Sequence, residues 1–322
     1  MYLNRLKIAA VMSLTIFACA LAQADGISNS DLPEGSNWYV HVNLELIRSS
    51  GVGRGFVQET LDEAREDIQD ELGIDFSGEI EGVTVFGGML PKHGSLLNEG
   101  AVVLHGYIGE ETRSAVLSKL DEHGVKVDTS VENGQTLYTV ESDSRSMSYE
   151  DADGEHQTIT LGDREVLYFS FGANQTLITQ DMEMMQTFID AHGYLGGFES
   201  ADASALLVLQ ADRALMQGGA NTTEDIAGDW DSAILKNLEA VAVVVAEEND
   251  GLQISAQLIA DTAEAAMSVR NIAEGLVALK ALDEADSPLG DVLRNVRFEN
   301  DGTVLHVSVP IAADQLEAIR GL

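Results

Sequence analysis

The sequence is poor in four things, and each shortage excludes something. It has one cysteine, Cys19, in 322 residues. An intrachain disulfide needs two, so none can form, and thiol chemistry would have to use that one residue. Cations are scarce: 18 lysines and arginines stand against 54 acids, a formal net charge of −36. Nucleic-acid binding rests on cations that neutralise phosphates, and attraction to anionic membranes has the same requirement, so neither partner is expected. Beyond the first residues no apolar run approaches the ~20 residues that span a bilayer. Catalytic signatures are missing too. No histidine pair has H-E-x-x-H spacing, and there is no G-x-S-x-G or S-x-x-K.

What is present begins with the N-terminus. Arg5 and Lys7 precede an apolar run, Ile8 to Ala18, and two overlapping small-residue boxes follow, Ala20-Leu21-Ala22 and Ala22-Gln23-Ala24. This order predicts a signal peptide over residues 1–24, cleaved near Ala22 or Ala24, and a periplasmic or secreted product. Cys19 fits a lipid-anchor site poorly. Phe17 lies two places before it, where a small residue is wanted, and Ala20-Leu21-Ala22 follows where a polar tether is wanted. Ordinary cleavage discards Cys19 and leaves a mature chain without disulfides. It also removes two cations and no acid, so the product is more acidic still.

The remainder is 45% hydrophobic by the whole-chain composition, and its apolar residues are periodic rather than scattered, as in a folded chain. Residues 37–47, 80–90 and 100–108 read as strands. Residues 109–124 read as a helix with acids in its first turn, His123 near its end and Gly124 as a stop. Residues 125–142 read as a hairpin turning at Asn133-Gly134. The polar stretch 143–157 reads as a loop, 158–179 as strands, and 181–193 as a short helix. The order then starts again. A strand runs into a helix over 204–218, a hairpin over 237–260 turns at Asn249-Asp250-Gly251, and a long helix covers 261–284. Asp261 is the expected cap of that helix. Ala265, Val269, Ile272, Leu276 and Leu279 are its expected buried stripe. A second hairpin over 296–309 and a closing helix complete the chain.

The two passes correspond segment by segment. Residues 42–47 face 209–215, 80–86 face 238–244, and 107–116 face 258–267. The last correspondence has two versions: 132–140 against 299–307, or 173–189 against 302–319. Both stay open. The expectation is an α+β fold of two tandem βαββαβ (ferredoxin-like) repeats, with antiparallel sheets and helices on one face. The first repeat, with extra strands, covers 25–200 and the second 201–322. Whether two sheets stack or join into one is not decided by the pattern.

Three segments, "WYVHVNLELIRSSGVGRGF", "GIDFSGEIEGVTVFGG" and "LITQDMEMMQTFID", give the chain a loose resemblance to uncharacterised secreted bacterial proteins known only as domains of unknown function. The resemblance covers most of the mature chain. It implies no activity and assigns no residue a role.

Candidate chemistry is sparse. Asp151, Asp153 and Glu155 alternate around Gly154, an oxygen density that suits calcium. The twelfth position from Asp151 is Gly162 rather than glutamate, so the full calcium-loop motif fails and an acidic surface loop is the competing reading. Met182, Met185 and His192 offer soft ligands of the kind that suit copper(I), against core filling by the methionines. "GVGRG" (51–55) lacks the further glycine of a dinucleotide fingerprint and the lysine of a phosphate loop. Arg48 and Arg54 stand out only because cations are few. Of the seven histidines, His41, His105 and His306 fall in predicted strands, where ordinary sheet-face hydrogen bonds are the default; His93, His123, His156 and His192 complete the set.

Three functions follow as expectations. The first is a non-enzymatic, soluble extracytoplasmic protein that binds a protein, peptide or small ligand. The second is a hydrolase with its site between the repeats. The third is a calcium-dependent binding or structural module. The first leads, because secretion and duplication are legible and catalytic signatures are not.

Overall fold

The computed structural model describes residues 36–52, 78–88, 100–142, 146–150, 156–160, 165–195, 205–213 and 238–320. Its elements run β1 (Trp38–Asn43), α1 (Leu44–Ser49), β2 (Gly82–Gly87), β3 (Gly100–His105), α2 (Glu110–Glu122), β4 (Val127–Glu132), β5 (Gln135–Ser142), β6 (Ser146–Glu150), β7 (His156–Thr160), β8 (Glu165–Phe171), β9 (Gln175–Thr179), α3 (Met182–Asp190), β10 (Ala205–Asp212), β11 (Leu238–Glu248), β12 (Gly251–Ala260), α4 (Ala263–Asp283), α5 (Pro288–Arg294), β13 (Arg297–Asp301), β14 (Val304–Ala312) and α6 (Ala313–Arg320). The protein is therefore α+β, as the pattern predicts.

Twelve strands form one antiparallel sheet in the order β13-β14-β12-β11-β10-β1-β2-β3-β9-β8-β5-β4. The two halves meet where β1 pairs with β10, so they join edge to edge. β6 and β7 pair with each other apart from the large sheet, where the sequence reading expected mostly loop. The turns came out where asparagine and glycine allow positive φ. Asn133 and Gly134 close β4–β5 at φ 49° and 81°, and Asn249 and Asp250 close β11–β12 at 51° and 61°.

Successive strand residues point to opposite faces, so register gives a side to each helix that packs on the sheet through buried residues. Tyr39 pairs with Phe86, Phe86 with Ala101, and Ala101 with Thr179. This is the Tyr39 face. Trp38 pairs with Ala211, Ala211 with Val241, Val241 with Leu258, and Leu258 with Leu305. This is the Trp38 face. α3 packs on the Tyr39 face: Met185, Phe188 and Ile189 are wholly buried against Phe86, Val103, Leu137 and Leu177. α4 packs on the Trp38 face, with Ala266 and Val269 against Leu305 and Val307. α5 and α6 join it there through Val292 and Leu316 against Val309 and Ile311, and α1 adds Ile47.

Two expectations are corrected by this arrangement. The helices do not share one face, because the apolar side of the sheet changes beyond β11: Val208 of β10 and Ala242 and Val244 of β11 still join the core on the Tyr39 face. β12 turns Ser255 and Gln257 toward the Tyr39 face, while β14 turns Leu305, Val307, Val309 and Ile311 toward the Trp38 face. The ferredoxin-like strand order is not what the sheet displays either. A split βαβ unit inserts a strand between the two that its helix joins. Here β1 and β2 hydrogen-bond directly and antiparallel.

Candidate functional site

The first cluster with chemical potential lies on the Tyr39 face. Tyr39 and His41 are two apart on β1, and register sets His41 beside Thr84 of β2, which in turn lies beside Val103 of β3. His105 comes two residues later on β3, opposite Gly82. His41 Nδ1 lies 2.8 Å from Thr84 Oγ1, and His105 Nε2 lies 2.7 Å from the same oxygen. The rings meet edge to face with centroids 5.2 Å apart. Gly82 leaves the His41 ring its room, since a Cβ there would sit 3.2 Å from His41 Cε1.

One hydroxyl carries one proton. Thr84 therefore donates to one ring, whose facing nitrogen carries no proton, and accepts an N–H from the other; with both rings neutral the two tautomers are complementary. Burial holds both in that form. It lowers His41 below the usual histidine value, and it pushes His105 down to about 4, with the neighbouring His41 adding to the effect. Thr84 is fully buried. The cluster ties three strands together across separations of 43 and 21 residues. The sequence held one signal of it, a threonine inside the valine-rich run "GVTVFG".

The residues singled out by spacing mostly stay apart. Met185 is wholly buried in the core while Met182 is exposed, so the two methionines do not converge on a copper site. His192 takes a positive φ of 57° after α3 and offers its carbonyl to Gln135. His123 caps the C-terminal end of α2. His306 of β14 sits in the other half, beside Gln257 and Glu299, with its Nδ1 buried and unpartnered. Arg48 donates to the Ile80 carbonyl. Asp151, Asp153, Glu155, Arg54, His93 and the signal peptide lie outside the described residues. Among the described residues no three histidines, cysteines or acids group as a metal site, and no helix is long and apolar enough to cross a membrane.

The second feature is a surface. α4 has 21 residues and begins at Thr262, whose hydroxyl accepts the Ala265 N–H at 3.1 Å. Asp261, the expected cap, pairs with Arg213 instead. Of the predicted buried stripe, Val269 is buried and Ala265 and Leu276 are half-buried, but Ile272 and Leu279 face outward at 42% and 67% exposure. Met267 and Leu282 are exposed as well, at 58% and 74%. Half of the eight exposed large apolar side chains among the described residues thus sit on this one helix. Ser268, Ile272, Gly275, Leu279 and Leu282 follow a 4-3-4-3 spacing, which is a heptad seam on one face. None of the five is charged. Periodicity missed this because apolar residues occupy two faces of α4, and spacing alone does not say which one meets the sheet.

No protein-family model matches the chain, and no curated protein sequence does. Among solved structures the chain is similar to TP0453 in crystal form III (TM-score 0.49, 11% identity, 93% of this chain and 100% of that one). It is similar to the same protein in crystal form IV (0.47, 11%, 92% and 98%) and in crystal form I (0.45, 10%, 93% and 99%). At these scores and identities the likeness carries no functional implication.

Proposed function

We propose that this chain is a non-enzymatic extracytoplasmic binding protein that holds a protein partner on the outward face of α4. The observation that carries the reading is the uncharged apolar seam Ile272-Gly275-Leu279-Leu282 on a chain of net charge −36. Large apolar side chains gathered on one exposed face mark an interaction site, whereas the same residues scattered singly would not. The histidine cluster supports the reading from the other side: its only hydroxyl is sealed in the sheet and shared between two rings, an arrangement that orders strands.

The scaffold is two tandem repeats in this reading. Counted outward from the β1–β10 junction, one side of the sheet runs β1, β2, β3, β9, β8 and the other β10, β11, β12, β14, β13. In each, the third strand leads into a helix, a later strand returns beside the third, and a helix follows. This favours 173–189 as the counterpart of 302–319, with β4 and β5 as an addition to the first repeat.

A photo-crosslinking residue at position 279 tests the binding reading. In the native envelope it yields a discrete protein adduct, and the same residue at exposed Ser130 on β4 yields none. Equal labelling at both positions, or none at 279, contradicts it. Intact mass tests the export step: the product begins at Gln23 or Asp25, and an acylated Cys19 overturns that.

A further inference from the structure

The partner's own chemistry can be read from the α4 seam. We infer that α4 receives a single cationic amphipathic helix, laid lengthwise along Ile272, Gly275, Leu279 and Leu282. The inference rests on the binding reading above, and three observations carry it.

The first is Gly275. A glycine inside a helix is unfavourable relative to alanine. A Cβ added at Gly275 would meet no atom within 4 Å, so no contact within the described protein requires its absence. A helix that lacks a side chain it has room for offers close approach to something outside it. Gly275 sits between Ile272 and Leu279, so a bulky side chain of an incoming helix fits into the gap between two knobs.

The second is size. A 21-residue helix is about 30 Å long. Its outward seam is one helix wide. A standard interface between two globular proteins uses ~20–30 residues a side. The strip matches one helix better than a second copy of this chain, and a second copy would also bring the same large negative charge.

The third is charge. Residues 261–286 hold six acids and two cations. Both cations are already engaged: Arg270 with Glu274 at 2.7 Å, and Lys280 with Asp283 and Glu284 at 3.0 and 2.9 Å. Residues 261–286 thus keep an excess of four acids over cations, while the five seam positions carry no charge. An occupant complementary to both carries an apolar stripe flanked by lysine or arginine, and the field of the chain steers it in.

The test uses the purified chain and three synthetic peptides of about 20 residues, long enough to cover α4. One has leucines at heptad a and d positions with lysines elsewhere, one has glutamates in place of the lysines, and one is the lysine peptide scrambled. By fluorescence anisotropy the lysine peptide binds at least about tenfold more tightly than the other two, and Leu279→Gln and Gly275→Leu each weaken it by about tenfold or more. Circular dichroism checks that both variants remain folded. If the lysine peptide binds Leu279→Gln as well as the original chain, it senses only overall charge and the inference fails. If the glutamate peptide binds as tightly and Leu279→Gln abolishes it, the docking face stands and the cationic partner fails. If no peptide binds while the crosslink at 279 persists, the helix fails and the binding reading survives. Two further results overturn the inference: a dimer in sedimentation that Leu279→Gln dissociates, and flotation with phosphatidylcholine vesicles that Leu279→Gln abolishes.

Discussion

α3 and α4 each follow a strand of the large sheet, yet they use their apolar residues in opposite ways. α3 has nine residues and buries Met185, Phe188 and Ile189 completely on the Tyr39 face. α4 has 21 and buries only Ala266 and Val269 on the Trp38 face, leaving Met267, Ile272, Leu279 and Leu282 in solvent. The longer helix therefore does less for the core. Apolar burial stabilises at roughly 25 cal/mol per Å² removed from water, and that gain is absent where the side chains stay wet. The difference separates a helix that closes the fold from one that presents a surface.

Substitutions break or sharpen this contrast. Phe188→Ala has the largest effect, a loss of about 3–5 kcal/mol in urea unfolding, because it removes a wholly buried ring. A loss below about 1 kcal/mol there would erase the distinction between the helices. Thr84→Val comes next, at about 1–3 kcal/mol, since it strands two buried imidazole nitrogens while keeping the shape of the side chain. The same cluster sets a pH dependence. Both histidines titrate below 6.5 in the fold, so the unfolded chain takes up protons first as pH falls. Stability is complete above 6.5 and declines toward the folded value of about 4 for His105. The unfolding midpoint followed from pH 7 down to about 5, above the ordinary carboxylate range, shows that decline, and His105→Asn flattens it. A wild-type midpoint that stays level over that interval would remove the neutral pair from the account.

Smaller effects divide α4 from within. Thr262→Ala costs about 1 kcal/mol by removing the cap, whereas Asp261→Ala stays within about 0.5 kcal/mol because its partner is an exposed arginine. The reverse ranking would restore Asp261 as the cap. Gly275→Ala stabilises the chain by about 0.5–1 kcal/mol, since nothing occupies the space its methyl group would fill. Destabilisation would mean that Gly275 serves the fold rather than a partner.

Much of the fold was legible locally and little of the site was. Asn133-Gly134 and Asn249-Asp250 announced their hairpins because few other residues accept positive φ. The end of α2 was legible for the same reason at Gly124, φ 69°, and its start from the acids of its first turn. The choice of sheet face was not, because it depends on pairings such as Leu258 with Leu305, which join segments about 50 residues apart in sequence. The His41–Thr84–His105 cluster is equally non-local. Ile272 and Leu279 fit a buried stripe by spacing, and only the position of the sheet against Val269 reveals that they point the other way.

The central claim is that the outward seam of α4 serves docking and not the core. Titrating the lysine-flanked peptide into the original chain and into the double variant Leu279→Gln/Leu282→Gln, with urea unfolding of both, tests it most directly. The account predicts binding weakened by about tenfold or more and unfolding free energies equal within about 0.5 kcal/mol. Undiminished peptide binding, or a loss of stability approaching that of Phe188→Ala, would contradict it.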